Sequence, residues 1–321
     1  MEIITETGSK TGKANLEVFS ATLQQLAETD RDIVAVTSDS RGSGKLAPFA
    51  QRFPGQIVEV GIAEQNLVGV AAGLASAGKK VFAVSPACFL TARALEQIKN
   101  DVAYSDNPVN VVGISAGVSY GALGSTHHSL HDFAVLRAIH NIVVVAPGDN
   151  FETEQAIRLA ARAGYPVYLR FGKKPMPLLN PENDSFEFGK GRIVKQGDQI
   201  MIVANGETVY PALQAARKLE RDYNISSMVV SMHTIKPLDY GLLAREASTG
   251  KAILTVEEHS VYGGLGEACA SFLLEHGYYN PFKILAIPDE YTVTGSQTEI
   301  FDYYGISEHG ISSAALTLLS R

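Results

Sequence analysis

Short apolar runs rich in β-branched residues alternate with longer amphipathic segments along the first half of the chain. The runs have the length of buried strands, and the longer segments repeat apolar residues at helical spacing. Such alternation is typical of a parallel sheet covered on both faces, so it predicts a doubly wound first domain. The predicted strands are Ile33–Thr37, Lys80–Val84, Val109–Ile114, Ile142–Ala146 and Pro166–Arg170. The predicted helices are Ala14–Glu28, Ala63–Ala77, Phe89–Ala103 and Asn150–Ala163, the last capped by Asn150.

The alternation stops at Gly172 and resumes after Asp184. Three prolines and a lysine pair in this interval fit neither a helix nor a central strand. We therefore predict an α/β fold of two doubly wound domains, at residues 1–175 and 190–321, joined by a linker at residues 176–189. The strands predicted for the smaller second domain are Ile200–Ala204, Ile225–Ser231, Ala252–Val256 and Lys283–Ile287. Its predicted helices are Thr208–Arg221, Leu238–Ala247 and Gly264–His276.

The composition narrows the class of protein. The 321 residues are 45% hydrophobic, and 27 basic against 34 acidic side chains give a formal charge of −7. No stretch approaches the roughly 20 apolar residues of a membrane span, and no basic block favours nucleic acid. The amino terminus lacks the apolar core of a secretory signal, and Cys88 lies far from Cys269. We expect a cytoplasmic chain without a disulfide framework, a cysteine-rich metal site, a membrane contact or a nucleic-acid partner.

The stretch from Val58 to Gly78 is the most informative for chemistry. A strand enters, Gly61 turns the chain, and a helix of very small residues follows. Glu64 opens that helix with few other charges nearby, where an ionised carboxylate is costly unless it is paired, hydrogen-bonded or protonated. The helix dipole alone also favours an acid in a first turn. The residues by themselves leave a functional and a structural role for Glu64 open.

The motif GIAEQN, followed by the small-residue helix, resembles the pyrimidine-binding domain of transketolase and its thiamine-diphosphate relatives. The segments TSDS with Ser43 after it, STHHSLHD, LRAIHNIVVVAPGDNFE, VYLRFGK and EEHSVYGGLGE resemble further motifs of that family, in the family's order. The resemblance runs across essentially the whole chain. It implies a pyrimidine-binding domain followed by a smaller transketolase C-terminal-like domain.

The resemblance assigns four residues to thiamine diphosphate. Glu64 would hydrogen-bond a ring nitrogen of the aminopyrimidine and act as the catalytic acid–base group of the site. Phe89 would lie against the same ring, although core packing is its alternative. Ile62 and Asp39 match other pyrimidine-contacting positions, and Asp39 could equally be a turn-former after a strand.

The resemblance also assigns residues to the substrate. His127 would face the substrate channel as a catalytic residue and bind sugar hydroxyls, with a solvated loop histidine as the alternative. Arg170 would clamp the substrate phosphate, joined by Ser43. Ser115, which we also assign to substrate binding, and Leu123 stand where transketolases place a histidine and an aspartate that contact donor hydroxyls. We therefore expect a donor that differs from xylulose 5-phosphate near the keto end, deoxygenated or branched.

A thiamine-diphosphate enzyme of this kind needs a Gly-Asp-Gly turn and a later asparagine, which hold a divalent metal on the diphosphate, and the sequence lacks them. The resemblance then implies a split transketolase that transfers a two-carbon ketol unit between sugar phosphates. The present chain would be its small subunit. An N-terminal, diphosphate-binding subunit would hold Mg²⁺ or Ca²⁺, in a heterotetramer of two plus two chains.

Two other interpretations remain open at this point. The beta subunit of a 2-oxoacid dehydrogenase decarboxylase has the same two-domain layout and size, although the sequence motifs GIAEQN and STHH favour transketolase. A non-catalytic scaffold that only stabilises a partner would explain Ser115 and Leu123, whereas Glu64 speaks against it.

Overall fold

The computed structural model describes residues 11–179 and 185–320, which form an α/β protein with two large sheets. The strands are β1 (Thr11–Ala14), β2 (Ile33–Thr37), β3 (Ile57–Glu59), β4 (Lys80–Pro86), β5 (Val109–Ile114), β6 (Val143–Val145), β7 (Val167–Arg170), β8 (Pro175–Pro177), β9 (Arg192–Lys195), β10 (Ile200–Ala204), β11 (Ser227–Ser231), β12 (Thr234–Lys236), β13 (Ala252–Ser260) and β14 (Phe282–Ile287). The helices are α1 (Asn15–Thr29), α2 (Ala47–Arg52), α3 (Glu64–Ser76), α4 (Ala87–Arg93), α5 (Leu95–Gln97), α6 (Asp132–Ala138), α7 (Asn150–Ala160), α8 (Val209–Tyr223), α9 (Tyr240–Ala247), α10 (Leu265–Glu275), α11 (Gln297–Tyr303) and α12 (Glu308–Leu319). None of these helices is long and apolar enough to cross a membrane.

The larger sheet has the strand order β12–β6–β7–β5–β4–β2–β3, and every pairing in it except β12–β6 is parallel. All residues of β2 and β5 are buried, as expected where helices cover both faces of a parallel sheet. Because β3 lies on one side of β2 and β4 on the other, the winding reverses at β2. Ligands of open α/β sheets bind at the carboxyl ends of strands beside such a reversal.

The second sheet has the order β14–β13–β10–β11–β9, with β9 antiparallel to β11 and the remaining pairs parallel. Buried side chains of β10, β11 and β13 pack with Ala212 and Leu219 of the amphipathic helix α8. The predicted α/β fold of both domains is confirmed.

The second domain also extends the sheet of the first. Strand β12 pairs antiparallel with β6, with Thr234 opposite Val145 and Lys236 opposite Val144. The ammonium group of Lys236 donates to the carbonyl of Arg137 at 3.3 Å. Three residues are too few to show a strand pattern, so the sequence analysis did not predict this pairing. The two domains are therefore joined by backbone hydrogen bonds as well as by side chains.

The helix predicted at Phe89–Ala103 is divided. Helix α4 ends at Arg93, a single turn follows, and residues Ile98–Tyr104 form a π-helical segment. The wider turns keep Ile98 and Val102 in the core, and hydrophobic spacing alone does not reveal such a change of pitch. The prediction of one continuous helix was wrong, and the break places Arg93 at a helix end.

The cap of α7 also differs from the prediction. The carboxylate of Asp149 accepts from the amide of Glu152 at 2.8 Å, so Asp149 rather than Asn150 is the N-cap. The side-chain amide of Asn150 instead donates to the carbonyl of Lys13 at 2.8 Å. The carboxylate is the stronger acceptor for the free amides of a first turn.

Strand β8 overlaps the start of the predicted linker and pairs with β1 of the first domain, which suits a proline-rich edge strand. The predicted linker residues Asn180–Asp184, and the amino-terminal residues 1–10, lie outside the described residues. The domain limits at residues 175 and 190 stay a prediction. Cys88 and Cys269 are both buried free thiols.

Candidate active site

Five predicted site residues follow neighbouring strands of the larger sheet at their carboxyl ends. Ile62 and Glu64 follow β3, Asp39 follows β2, Phe89 follows β4, and His127 lies on the loop between β5 and α6. These strands are adjacent in the order β3–β2–β4–β5, and they are parallel. The fold therefore brings the five residues to one edge, beside the reversal at β2 where ligands of such sheets bind.

Glu64 begins helix α3 and is 4% exposed. The Nη1 group of Arg93 donates to both of its carboxylate oxygens, at 3.0 and 3.2 Å. The guanidinium and the amino end of the helix both stabilise the ionised carboxylate. Of the outcomes that the sequence left open for this carboxylate, the structure shows a hydrogen-bonded ion pair, with a partner that the sequence analysis did not name. Arg93 stands four residues after Phe89, so helical spacing could have linked the two side chains.

Phe89 is half-buried rather than part of the core. The guanidinium carbon of Arg93 lies 4.3 Å from the centroid of its ring, close enough for a cation–π contact. The side chain of Arg93 is 49% exposed, so this contact forms at the surface. Phe89 thus offers an aromatic face next to the buried carboxylate of Glu64.

His127 lies between two aromatic rings. Its ring centroid is 5.3 Å from those of Phe89 and Tyr120, edge to face in both cases. Its Nδ1 is 3.0 Å from the hydroxyl oxygen of Thr126. The ammonium group of Lys173, exposed just after β7, is 4.6 Å from the centroid of Tyr120. We call the resulting line of contacting side chains the edge row: Glu64, Arg93, Phe89, His127, Tyr120 and Lys173.

Tyr120 and Lys173 are the members of this row, besides Arg93, that the sequence analysis missed. The signal was present, because Tyr120 is the aromatic residue of the glycine-rich loop that carries His127. Lys173 stands three residues beyond Arg170, at the same end of the same strand. Burial raises the pKa of the Tyr120 hydroxyl.

Ser115 and Leu123 flank the edge row. Ser115 directly follows β5, is buried, and has a left-handed backbone with φ of 53°. Leu123 is 56% exposed. Where the resemblance leads one to expect a histidine and an aspartate, this part of the edge has the small hydroxyl group of Ser115 and the apolar side chain of Leu123.

The other predicted residues border the edge without joining the row. Asp39 has a left-handed backbone with φ of 51°, and its amide donates to Glu59 Oε1 at 2.7 Å. The amide of Gly61 donates to the same oxygen at 3.0 Å, which ties the ends of β2 and β3 together. Ile62 is 74% exposed. Ser43 is exposed, and its hydroxyl donates to the carbonyl of Ser40 at 3.2 Å.

Arg170 ends β7 at the same carboxyl edge of the sheet, but its side chain is enclosed in the junction between the domains. Its side chain is 4% exposed, and its Nε donates to Asp132 Oδ2 at 2.8 Å. Nη2 donates to the carbonyl of Glu258 at 2.8 Å, and Nη1 lies 3.7 Å from the carboxylate of Glu258. Since protein groups already enclose the guanidinium and Ser43 is not among them, the structure does not assemble the predicted phosphate clamp.

Further buried polar groups surround Arg170. Gln297 donates to Glu258 at 2.8 Å and also to Glu207. Burial and the nearby Glu207 raise the pKa of Glu258 above its usual range. Burial lowers the pKa of His259 to about 4, although its Nε2 is 3.8 Å from Asp132 Oδ1. We call this group the junction cluster: Asp132, Arg170, Glu207, Glu258, His259 and Gln297.

Over residues 11–179 and 185–320, no group of three or more His, Cys, Asp or Glu side chains could hold a metal ion. The edge row does suit one half of thiamine diphosphate. Glu64 and Phe89 already hold a planar group with N–H donors, the guanidinium of Arg93. An aminopyrimidine is also planar and, with a proton on its ring nitrogen, presents an N–H donor there, so it can make the same two contacts.

Comparisons with known proteins cover both domains. Residues 12–177 match the family model "Transketolase, pyrimidine binding domain", and residues 189–311 match "Transketolase, C-terminal domain". The chain is 48% identical over 305 residues to a subunit of the apulose-4-phosphate transketolase of Phocaeicola vulgatus, covering 94% of this chain and 96% of that protein. The corresponding protein from Actinobacillus succinogenes, which has the same name, is 40% identical over 290 residues, covering 89% and 92%.

A solved structure described as "Split gene transketolase, inactive beta4 tetramer" is similar throughout. Its TM-score is 0.86 at 35% sequence identity, and the match covers 96% of this chain and 99% of that one.

Proposed function

The chain belongs to the transketolase family as one subunit of a split enzyme, and we propose that it transfers a two-carbon ketol unit between sugar phosphates together with a diphosphate-binding subunit. The observation that carries the proposal is the edge row, in which Glu64, Phe89 and His127 meet at the ligand-binding edge of the sheet. We also propose a cytoplasmic location, which the free thiols of Cys88 and Cys269 support.

The family implies thiamine diphosphate as the cofactor, which supplies the nucleophilic carbon that accepts the ketol unit. Glu64 would hold the proton shared with a ring nitrogen of the aminopyrimidine, and its burial would keep water from competing for that bond. Phe89 would pack against the ring, while Ile62 and Asp39 would border it.

The diphosphate and its Mg²⁺ or Ca²⁺ belong to the partner subunit in this proposal. The sequence contains no Gly-Asp-Gly motif. Arg93 and Lys173 of the edge row are exposed to solvent, and so is the neighbouring Ile62. A second chain that docks on this edge would cover the exposed Ile62 and complete the cofactor site. We propose an assembly of two plus two chains.

In this proposal Lys173, rather than Arg170, binds the substrate phosphate. Lys173 is exposed at the end of the edge row, whereas the guanidinium of Arg170 is enclosed in the junction cluster. His127, between the cofactor residue Phe89 and Lys173, is placed to bind sugar hydroxyls. Ser115 and Leu123 support a donor with a changed keto end, and two relatives are named for apulose 4-phosphate.

The test is a comparison of reactions by the assembled complex. The chain is co-expressed with its diphosphate-binding subunit and supplied with thiamine diphosphate, Mg²⁺ and either a ketose phosphate or a 2-oxoacid. We expect ketol transfer from a ketose phosphate, with apulose 4-phosphate and xylulose 5-phosphate as the first donors. Decarboxylation of the 2-oxoacid without ketol transfer would instead support the decarboxylase. An assembled complex that loads the cofactor and performs neither reaction would support the scaffold.

A further inference from the structure

The guanidinium of Arg93 makes the two contacts that the proposed function assigns to the aminopyrimidine ring. Its Nη1 donates to both oxygens of Glu64, at 3.0 and 3.2 Å, and its carbon lies 4.3 Å from the centroid of Phe89. Both groups are planar, and an aminopyrimidine whose ring nitrogen carries a proton presents an N–H donor to the carboxylate, as the guanidinium does. The two groups therefore compete for the same carboxylate and the same ring.

We propose that Arg93 is a displaceable substitute for the cofactor. It pairs with Glu64 while the site is empty and turns outward when the aminopyrimidine binds. Arg93 is the last residue of α4 and its side chain is 49% exposed, so it can leave without crossing the core. This inference rests on the proposed function, because it assigns Glu64 and Phe89 to the cofactor.

The pairing has a physical reason. The side chain of Glu64 is only 5% exposed, and a buried carboxylate without a partner is destabilising. Arg93 removes that penalty in the empty chain, while its own exposure keeps the pair weak enough to be displaced. The cofactor must break the pair to bind, so Arg93 lowers the affinity of the site.

The chain provides a matched control in Arg52. Its Nη1 lies 2.6 Å from Glu28, and its guanidinium carbon is 5.3 Å from the centroid of Phe53. Its side chain is 53% exposed, close to the value for Arg93. Arg52→Met therefore removes the same kinds of contact at a place that the proposed function does not use.

The experiment is calorimetric titration of thiamine diphosphate, with Mg²⁺, into the cofactor-free assembled complex. We expect Arg93→Met to bind about fivefold more tightly than the wild type, the size of a partly exposed ion pair. Arg52→Met should bind like the wild type. Normal binding by the wild type with unchanged or weaker binding by Arg93→Met would overturn this inference alone. A wild-type complex that failed to bind the cofactor would overturn the proposed function as well.

A double-mutant cycle identifies the partner through which Arg93 acts. In a Glu64→Gln complex the ion pair is already broken and only the contact with Phe89 is left to remove, so Arg93→Met should tighten binding clearly less than in the wild-type background. A full gain in the Glu64→Gln background would show that Arg93 opposes the cofactor by another route, and the pairing account would be withdrawn.

Discussion

Arg93 and Arg170 make the same kinds of contact in very different surroundings. Each donates to a carboxylate and lies over a phenylalanine ring, at 4.3 Å from the centroid for Arg93 and 4.5 Å for Arg170. The side chain of Arg93 is 49% exposed and pairs with Glu64, whereas that of Arg170 is 4% exposed and faces two carboxylates. The two arginines make the same kinds of contact, and they differ in how far solvent reaches their side chains.

Solvent access decides what each pair can do. Water can replace the contacts of Arg93 at small cost, which suits a site that has to accept a ligand and a second chain. Removing Arg170 from the junction cluster would leave the charge of Asp132 buried and uncompensated, so its contacts hold the two domains together. The partly exposed pair of Arg93 lies in the proposed cofactor site, whereas the enclosed pair of Arg170 lies where the two domains meet.

The largest predicted effect is the loss of the buried arginine. Arg170→Met should lower the free energy of unfolding by about 3 to 5 kcal/mol, because it leaves a buried carboxylate without its cation. Arg93→Met should lower it by less, about 1 to 2 kcal/mol, because Glu64 is also buried but keeps the amino end of α3 as a second stabilising contact. Urea titration of the cofactor-free chain measures both values. Similar losses for the two variants would remove the distinction between the regions.

The next effect concerns turnover rather than stability. Glu64→Gln should reduce kcat of the assembled enzyme by about 10² or more, because it removes the acid–base group and keeps the shape. Assembly should be unaffected. Glu28→Gln is the control, since Glu28 pairs with Arg52 outside the edge row. Normal proton exchange at the thiazolium carbon in the Glu64→Gln enzyme would make Glu64 a structural residue.

Lys173 tests whether the substrate phosphate binds at the edge or at the junction. Lys173→Met should lower kcat/KM about tenfold for phosphorylated substrates and little for unphosphorylated analogues, as expected for one charged hydrogen bond. Lys174→Met is the control, because Lys174 donates to the hydroxyl of Thr298 at 2.6 Å. Equal losses with both substrate classes would argue against a phosphate contact by Lys173.

The smallest effect is the pH response of the junction cluster. Burial lowers the pKa of His259 to about 4, with Asp132 and Arg170 acting in opposite directions. A lowered histidine pKa stabilises the folded chain above the ordinary value near 6.5, and this contribution is lost as the pH falls toward 4. Between pH 7 and 5.5, the wild type should lose about 1 kcal/mol more stability than His259→Gln. Parallel stability curves for the two proteins would show that His259 is not held neutral.

Local patterns were sufficient to predict much of the molecule. The strands at Ile33–Thr37 and Val109–Ile114 were predicted to the residue, because both are continuous buried runs. The edge position of Glu64, Phe89 and His127 could also be expected, since each follows a parallel strand or lies on the loop after one.

The features that were missed depend on contacts between distant parts of the chain. Arg170 ends a strand, like a ligand-binding residue, but Glu258 of the second domain encloses it. Strand β12 and helix α6, which carries Asp132, are short elements whose place is set by the junction. The pairing of Arg93 with Glu64 joins residues 29 positions apart, and no local pattern signals it.

The most direct test of the central claim, that the edge row is half of a site, is a titration of ketol-transfer activity with the diphosphate-binding subunit. The purified chain, with thiamine diphosphate and Mg²⁺, should show no transfer by itself. Activity should rise with added partner and reach its plateau at one partner chain per chain. Ketol transfer by the isolated chain at a rate near that of the complex would contradict the account.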